Sequence, residues 1–354
     1  MRKFFFSLLL LSALLACSDE PSSVQRPVEA SQHGLLIASE GKFGEGNGSL
    51  SFYNPETKAV EHELFLRANG HYLGDTPHSI TLYDNLCWIV VNNSGVIYAV
   101  DPSTYEVKRI INEGLTSPRY ICFVSPEKAY VSELWSSRIL IVNPKSGLVE
   151  GSIATTMNDM EGSTEQMILL GDYLYVTCWS YQKQLIKIDT RTDRVVASIE
   201  VGVQPKELAL DKNGKLWCMT DGGGWAENPV GYEAPKLVRI DPETMTIEAL
   251  FTMSLGDFPA ELRMDGAAEN LFWINGSNLW KMNIAAETLP TEPLLTSDAA
   301  YLYGLMIDHT TGDIYLSDAA DFSQNGTVVR YSASCQELDR FSAGIAARAF
   351  CWKR

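Results

Sequence analysis

The chain has 354 residues, of which 45% are hydrophobic, and carries a formal net charge of −16 at pH 7. Such a charge argues against nucleic acids and other anionic polymers as ligands, because binding them requires a basic surface. It suits an extracellular protein whose ligand is neutral, cationic or zwitterionic.

The N-terminus is typical of a lipoprotein signal peptide, residues 1–16. A basic pair at residues 2–3 precedes an apolar segment, residues 4–15, that is too short to cross a bilayer. The sequence Leu-Leu-Ala-Cys at residues 14–17 resembles the lipobox of bacterial lipoproteins. This resemblance implies cleavage before Cys17 and acylation of Cys17 as a lipid anchor. The alternative is an ordinary secretory signal, which the cysteine directly after a small residue disfavours.

Residues 17–33 are predicted to form an acylated, flexible tether, because they combine Pro, Ser, Gln and Glu without periodic apolar positions. The acidic run Ser18-Asp19-Glu20 resembles the export signal that sends lipoproteins to the cell surface in Bacteroidetes. A solvated linker is the alternative. The expected location is therefore the outer membrane, facing the cell exterior, with the lipid anchor as the only membrane contact.

From residue 34 onward a short phrase returns seven times: Asp, Asn or an eroded equivalent, a few turn-forming residues, then an apolar residue. Its copies lie 42–52 residues apart and begin at Asn54, Asp101, Asn143, Asp189, Asp241, Asn283 and Ser332. A period in the forties, with strand-like segments on both sides, is typical of β-propeller blades. The sequence therefore predicts one all-β domain over residues 34–354, a seven-bladed β-propeller of four-stranded blades.

The two chain ends are predicted to share one blade. Seven inner strands align on an apolar residue, namely Ile80, Ile121, Met167, Leu208, Leu262, Leu305 and Phe350. The last of them lies at the C-terminus, whereas N-terminal segments 35–38, 50–53 and 60–66 lack an inner partner. We therefore expect the C-terminal strand to join these three strands, which closes the ring and removes an exposed sheet edge.

Loop lengths predict two unlike faces. Connections between first and second strands, and between third and fourth, share one face and are short. The other face receives the second-to-third and blade-to-blade connections, which are long and rich in aromatic and amide residues, as at 40–48, 67–77, 133–138, 178–184, 221–235, 255–259 and 318–326. Exposed aromatic loops are costly unless something covers them, so this long-loop face is the candidate binding face.

Six cysteines follow Cys17, and five of them lie within apolar strand phrases: Cys87, Cys122, Cys178, Cys218 and Cys351. None shows a metal-binding spacing, so packed free thiols are the favoured interpretation. The expected extracellular compartment would also allow disulfides, and a single sequence does not choose between pairings.

Several phrases resemble a known propeller family. Residues 199–205, followed by the strand and turn up to Trp217, resemble the repeat of YncE-type propellers. Phrases at 47–53, 90–95, 115–120, 178–182, 220–223 and 231–235 resemble surface lipoprotein propellers of gut Bacteroidetes, whose best-known members are the BtuG-type proteins that capture vitamin B12 (cobalamin). The resemblance implies a non-enzymatic protein, without a required cofactor, that binds a corrinoid and passes it to a TonB-dependent outer-membrane transporter.

A corrinoid is a broad macrocycle fringed with amides, so its site needs aromatic faces and polar side chains. The candidate ligand-binding residues are Phe43, Tyr72, Asn92, Asn93, Arg119, Glu133, Trp135, Trp179, Tyr181, Gln204, Trp225, Tyr232, Asp257, Phe258, Tyr303, Asp318 and Phe322. For each aromatic residue, packing between blades is the alternative. His71 and His78 could approach cobalt axially, although such a pair is more often a surface hydrogen-bonding feature.

Two other classes of function stay open. Glu207 and Glu261 occupy equivalent positions on neighbouring inner strands, where carboxylates could hold Ca²⁺ or Mg²⁺, as in propeller lactonases and lyases. Against this, the other channel positions supply no histidine and no recurring nucleophile–base pair, so a polar lining of the channel is favoured. In the third class, the aromatic loops dock the transporter, and the protein is a scaffold without its own ligand.

Overall fold

The computed structural model describes residues 33–155 and 162–353, which form seven four-stranded antiparallel sheets. Each inner strand contacts the inner strands of the two neighbouring sheets, and the seventh contacts the first, so the sheets are the blades of a closed ring. The predicted fold class is therefore confirmed. The predicted signal peptide, the predicted lipid anchor Cys17 and the predicted tether up to residue 32 lie outside the described residues.

Blades 2 to 5 are built from consecutive strands. Blade 2 contains β4 (Pro77–Tyr83), β5 (Leu86–Val91), β6 (Val96–Val100) and β7 (Val107–Ile111). Blade 3 contains β8 (Pro118–Ser125), β9 (Lys128–Glu133), β10 (Arg138–Asn143) and β11 (Leu148–Ala154). Blade 4 contains β12 (Thr164–Leu170), β13 (Tyr173–Cys178), β14 (Gln184–Asp189) and β15 (Arg194–Glu200). Blade 5 contains β16 (Pro205–Leu210), β17 (Leu216–Thr220), β18 (Lys236–Asp241) and β19 (Thr246–Thr252).

Blades 6, 7 and 1 complete the ring. Blade 6 contains β20 (Pro259–Met264), β21 (Asn270–Asn275), β22 (Asn278–Asn283) and β23 (Leu295–Thr296). Blade 7 contains β24 (Leu302–Ile307), β25 (Ile314–Asp318), β26 (Asn325–Tyr331) and β27 (Glu337–Ile345). Blade 1 combines β1 (Gly34–Ser39), β2 (Ser49–Tyr53) and β3 (Val60–Glu61) with the C-terminal inner strand β28 (Ala347–Lys353).

Blade 1 closes the ring as predicted, because β28 pairs antiparallel with β1 and places Trp352 opposite Leu35. The predicted third strand at 60–66 is wrong beyond residue 61. Only Val60 and Glu61 pair with β2, and the chain then forms the helix α1 (Leu64–Asn69), which buries Leu64 and Phe65. The apolar pair therefore packs from a helical turn instead of a strand.

The repeated Asx phrase makes the turn between the third and fourth strands. The side-chain oxygen of Asp101 accepts hydrogen bonds from the backbone N–H groups of Ser103 and Thr104, at 2.7 and 3.1 Å. The fourth residue after the Asx has a positive φ, the left-handed backbone conformation, in five blades of the described chain. These residues are Lys58, Tyr105, Gly147, Asp193 and Met245. An Asx side chain that bonds the backbone ahead explains why Asp or Asn recurs there.

The hydrophobic core lies between neighbouring blades, where Trp88 and Trp217 are fully buried. The six cysteines of the described residues are free thiols, including the five for which packed thiols were predicted. Burial raises the pKa of the Cys178 thiol to about 12 and that of Cys122 to about 11. Within the described part of the chain, no helix has the length and apolarity needed to span a bilayer.

The long-loop face differs from the prediction at blades 6 and 7. In blade 6 the second-to-third connection is only Gly276-Ser277, and a single residue, Ala346, joins blade 7 to blade 1. Elsewhere in the described chain, the second-to-third connections have four or more residues, as predicted.

Candidate functional site

A β-bulge in each inner strand turns one side chain toward the ring axis, and all of them but Ala260 are polar. In each blade of the described chain, the inner strand carries one extra residue relative to its neighbour, close to its start at the long-loop face. Bulges re-aim side chains and often border functional sites. The axial residues at this level are His78, Arg119, Glu165, Lys206, Ala260, Tyr303 and Arg348.

A buried ion pair occupies one side of the axis. Arg119 donates from Nε and Nη2 to the two carboxylate oxygens of Glu165, at 2.8 and 2.7 Å. Burial alone would raise the pKa of Glu165, but the charge of Arg119 and its two hydrogen bonds outweigh it and lower this pKa well below its usual value. Glu165 therefore remains a carboxylate.

His78 lies fully buried beside this pair, with Nε2 3.4 Å from Glu165 Oε1. Burial, and then the charges of Arg119 and Arg348, lower the pKa of His78 well below 6.5. The expectation of a surface histidine pair is therefore wrong for His78. His71 does lie at the surface, with Nδ1 2.8 Å from the carbonyl oxygen of Tyr72.

Acidification is expected to destabilise the propeller through His78. The unfolded chain takes up a proton near pH 6.5 while the folded site does not. The free energy of unfolding should then fall below about pH 6.5, by up to about 1.4 kcal/mol per pH unit. Urea unfolding at pH 7.0 and 5.5 measures this slope, and His78→Gln should flatten it. Glu165 adds its own dependence only below its unfolded pKa of 4.5, so an equal slope in the variant would contradict this assignment.

A second charged cluster lies on the opposite side of the axis. Arg348 Nε is 3.4 Å from Glu261 Oε1, and its Nη1 is 3.4 Å from Glu40 Oε1. Tyr303 donates a hydrogen bond to Glu40 Oε2 at 2.8 Å. Burial raises the pKa of Glu261, although Arg263 and Arg348 oppose the shift.

Glu207 and Glu261, the alternative metal ligands, are engaged within the protein. Glu207 accepts hydrogen bonds from the backbone N–H groups of Glu261 and Leu262. The two oxygens of Glu261 face Arg348 and Arg263. Within the described residues, no group of three or more His, Cys, Asp and Glu side chains is arranged to hold a metal ion.

Below the bulges, on the side of the short-turn face, the inner strands line a cavity of about 490 Å³. His78, Tyr120, Gln166 and Glu261 line its upper end. Near its lower end, the rings of Tyr83 and Phe123 stack with centroids 4.0 Å apart. The charged clusters therefore separate this cavity from the long-loop face.

Three predicted aromatic residues form a continuous group on the long-loop face of blades 3 to 5, here called the aromatic arc: Trp135, Tyr181 and Trp225. The ring centroids are 6.3 Å apart between Trp135 and Tyr181, and 6.2 Å between Tyr181 and Trp225. Trp135 is 52% exposed and Trp225 43%. Trp135 and Tyr181 both adopt left-handed backbone conformations, with φ of 58° and 60°. Bulky residues rarely adopt this conformation, and it persists where surrounding structure enforces it.

A buried polar network fixes the loops of the arc. Trp179 donates from its indole N–H to Asp221 Oδ2 at 2.7 Å, and Gln204 donates to Asp221 Oδ1 at 3.0 Å. Asn228 donates to Gln204 Oε1 at 2.8 Å. Because these side chains come from three loops, the network sets the relative positions of Tyr181 and Trp225.

Other predicted polar residues also hold loops together. Glu133 is buried and accepts hydrogen bonds from the Thr116 N–H at 2.5 Å and Arg138 Nε at 2.8 Å. Asp318 accepts from the backbone N–H groups of Ala300, Tyr301 and Ala320. Further contacts of this kind involve Asn92 with Ser117, Asn93 with Asp75, and Asp257 with Ser254.

A second aromatic group lies on blade 7. Tyr301, Tyr303 and Phe322 have ring centroids 5.0–6.1 Å apart, and Phe322 is also left-handed. The remaining predicted aromatic residues are exposed: Phe43, Tyr72, Tyr232 and Phe258. The structure therefore brings five of the predicted residues into two aromatic groups, and it places Arg119 and Trp179 beside the axis.

Sequence reasoning missed Lys206 and Glu165, which together with His78 and Arg119 form four of the seven axial residues. The ring of Trp179 lies between Arg119 and Lys206, 5.6 Å from the guanidinium and 5.7 Å from the ammonium group. The sequence did hold a signal for both, because Lys206 and Glu165 each lie two positions before the apolar residue on which their inner strand was aligned.

The fold and this site define a closed seven-bladed β-propeller with a charged axis and aromatic groups on one face. The chain belongs to the family "Domain of unknown function (DUF5074)", whose model matches residues 33–341. No curated protein matches it in sequence.

Solved structures show the same fold at low identity. A quinonprotein alcohol dehydrogenase-like protein from Bacteroides thetaiotaomicron is 13% identical, with a TM-score of 0.67 over 92% of this chain and 79% of that one. A candidate 6-phosphogluconolactonase from Bacteroides uniformis is 12% identical, with a TM-score of 0.66 over 91% and 100%. A protein from Lactobacillus plantarum is 11% identical, with a TM-score of 0.69 over 91% and 99%. At these identities, the likeness establishes the fold alone.

Proposed function

We propose that this protein captures a broad, amphipathic small molecule on its long-loop face, and that this molecule is cobalamin or another corrinoid. The aromatic arc is the observation that carries the proposal. Its three rings span three blades, remain partly exposed and rest on a buried polar network. Rigid exposed aromatic surface favours a flat apolar ligand, and the surrounding loops offer polar groups for its amides.

We further propose that Cys17 anchors the protein to the outer membrane and that the ligand passes to a TonB-dependent transporter. The lipobox at residues 14–17 supports the anchor. The second strand of blade 1, β1, begins on the short-turn face, so the chain enters the propeller opposite the aromatic arc. That arrangement would leave the arc accessible to a ligand or to the transporter.

Cyanocobalamin is expected to bind the purified full-length protein in detergent with one-to-one stoichiometry. Trp135→Ala and Tyr181→Ala should each weaken binding by about threefold to tenfold, since losing an aromatic stack costs about 0.5–1.5 kcal/mol. Leu148→Ser, at an exposed position on the outer strand β11, is the matched control and should bind normally. Isothermal titration calorimetry measures all four proteins.

The outcomes separate the alternatives. If cyanocobalamin gives no saturable heat, or if the arc variants bind as tightly as the control, the corrinoid proposal fails. The enzymatic alternative has less support because every carboxylate oxygen of Glu207 and Glu261 already has a protein partner. A transporter that binds this protein equally well without cobalamin, combined with no cobalamin binding, would favour the scaffold alternative.

A further inference from the structure

Blade 6 leaves a gap in the long-loop face. At the axial bulge level it presents Ala260, whereas the other blades of the described chain present larger side chains. Its second-to-third connection is the two-residue Gly276-Ser277. The space left by these small residues is a cavity of about 420 Å³ between blades 6 and 7, here called the notch. This volume lies within the range of roughly 300–1,000 Å³ that small-molecule sites occupy.

The walls of the notch are aromatic and its axial end is cationic. Phe258, Tyr301 and Tyr303 line the cavity together with the smaller side chains of blade 6. Lys206 and Arg348 close it toward the axis. Arg348 also lies over the ring of Tyr303, 5.2 Å from its centroid. An aromatic wall beside a cation suits a ligand with a flat ring and an anionic group.

The two cations are held less tightly than the arginine of the opposite cluster. Within the described residues, the only carboxylate within 4.0 Å of Lys206 Nζ is Glu207, at 3.9 Å. Glu207 already accepts two backbone N–H groups. The contacts of Arg348 with Glu40 and Glu261 are 3.4 Å long, compared with 2.7–2.8 Å in the pair formed by Arg119.

Both cations also remain partly accessible, since the side chains of Lys206 and Arg348 are each 14% exposed. Glu261 borders the notch too, but its oxygens face Arg263 and Arg348. Lys206 is therefore the least neutralised charge at the notch. A ligand anion would complete its coordination at little desolvation cost, because the ammonium group is already largely removed from water.

We propose that the notch binds a compact aromatic carboxylate, with its carboxylate at Lys206 and Arg348 and its ring among Phe258, Tyr301 and Tyr303. The ligand class follows from the pairing of two loosely held cations with three aromatic walls. The inference does not rest on the corrinoid proposal, which concerns the aromatic arc on blades 3 to 5.

Indole-3-acetate, phenylacetate and the uncharged analogue indole-3-acetamide test the charge requirement. Titrated into the purified full-length protein by calorimetry, at least one of the two acids should bind saturably. The amide should bind at least about tenfold more weakly than indole-3-acetate, because it lacks the charge-assisted hydrogen bonds. Absence of binding by both acids, or equal affinity for acid and amide, would overturn the proposal.

Two variants place the ligand in the notch. Lys206→Met keeps the aliphatic stem and removes the charge, and it should weaken acid binding about tenfold. Ala260→Leu fills the notch and should abolish binding. Lys42→Met, at an exposed lysine of the same face, should leave binding unchanged. Normal binding by Ala260→Leu would overturn the assignment even if Lys206→Met failed to fold, and titrating cyanocobalamin into the same proteins reports separately on the arc.

Discussion

A chain that ends at Ile345 is expected to lose cooperative folding. The deletion removes β28, and with it the pairing to β1 and the inner-strand contacts with blades 2 and 7. Losing a buried aromatic such as Trp352 costs about 3–5 kcal/mol by itself. The lost strand pairing and inter-blade packing add to this cost, and net stability is only about 5–15 kcal/mol for a folded domain, so the truncated chain should not fold cooperatively. Circular dichroism during urea titration should show no sigmoidal transition; an unchanged midpoint would refute the contribution of ring closure.

A graded version of this experiment uses two tryptophans. Trp352 packs against His33 and Tyr315, with ring centroids 5.3 and 5.8 Å away. Trp352→Ala should therefore lower the free energy of unfolding by about 3–5 kcal/mol. Trp225→Ala removes the same side chain from an exposed position and should change it by no more than about 0.5 kcal/mol. Equal losses in the two variants would show that closure of blade 1 contributes nothing special.

Replacing Arg119 by methionine is expected to destabilise the propeller by about 3–5 kcal/mol, because Glu165 would remain as a buried charge without its bidentate partner. The double variant Arg119→Met/Glu165→Met should recover much of the loss, since it removes both charges while keeping apolar volume. Urea unfolding of the wild type, the single variant and the double variant measures the difference.

The control for this prediction is an arginine at the surface. Arg340 lies on the outer strand β27 and forms ion pairs with Asp298 and Glu337. Arg340→Met should lower the free energy of unfolding by at most about 1 kcal/mol because solvent screens the interaction. If Arg119→Met is no more destabilising than Arg340→Met, the buried pair is not a major source of stability. If the double variant is as unstable as the single one, packing around Arg119 explains the loss better than charge.

The repeat of Asx turns was sufficient to predict the seven-bladed propeller, because each turn is a local structure. Asp101 makes its turn with residues two and three positions ahead, so its signal survives in the sequence. The closing blade was also predictable. The last inner strand has no later strands with which to form a blade, and the three N-terminal strands have no inner strand, so the two sets complete each other. Helix α1 could not be predicted, because its apolar residues Leu64 and Phe65 fit a strand equally well until pairing partners are known.

The axial clusters could not be predicted because they depend on contacts between distant blades. Glu165 and Arg119 are 46 residues apart, and Arg348 meets Glu40 across the junction of the chain ends. Sequence also did not show that Glu133, Gln204 and Asp318 turn inward to hold loops. Aromatic exposure was easier to anticipate, as at Trp135 and Trp225, because those residues lie within polar loops.

The extra residue in each inner strand separates two parts of every blade that differ in what their side chains contact. On one side of the irregularity, side chains pack against the adjacent sheets. At the irregularity itself, each blade turns one residue toward the axis, and five of these seven residues are acidic or basic, namely Lys206 and four members of the two axial clusters. Relatives of this chain could therefore replace the axial residues one blade at a time and acquire new chemistry, while the packing between blades stayed the same.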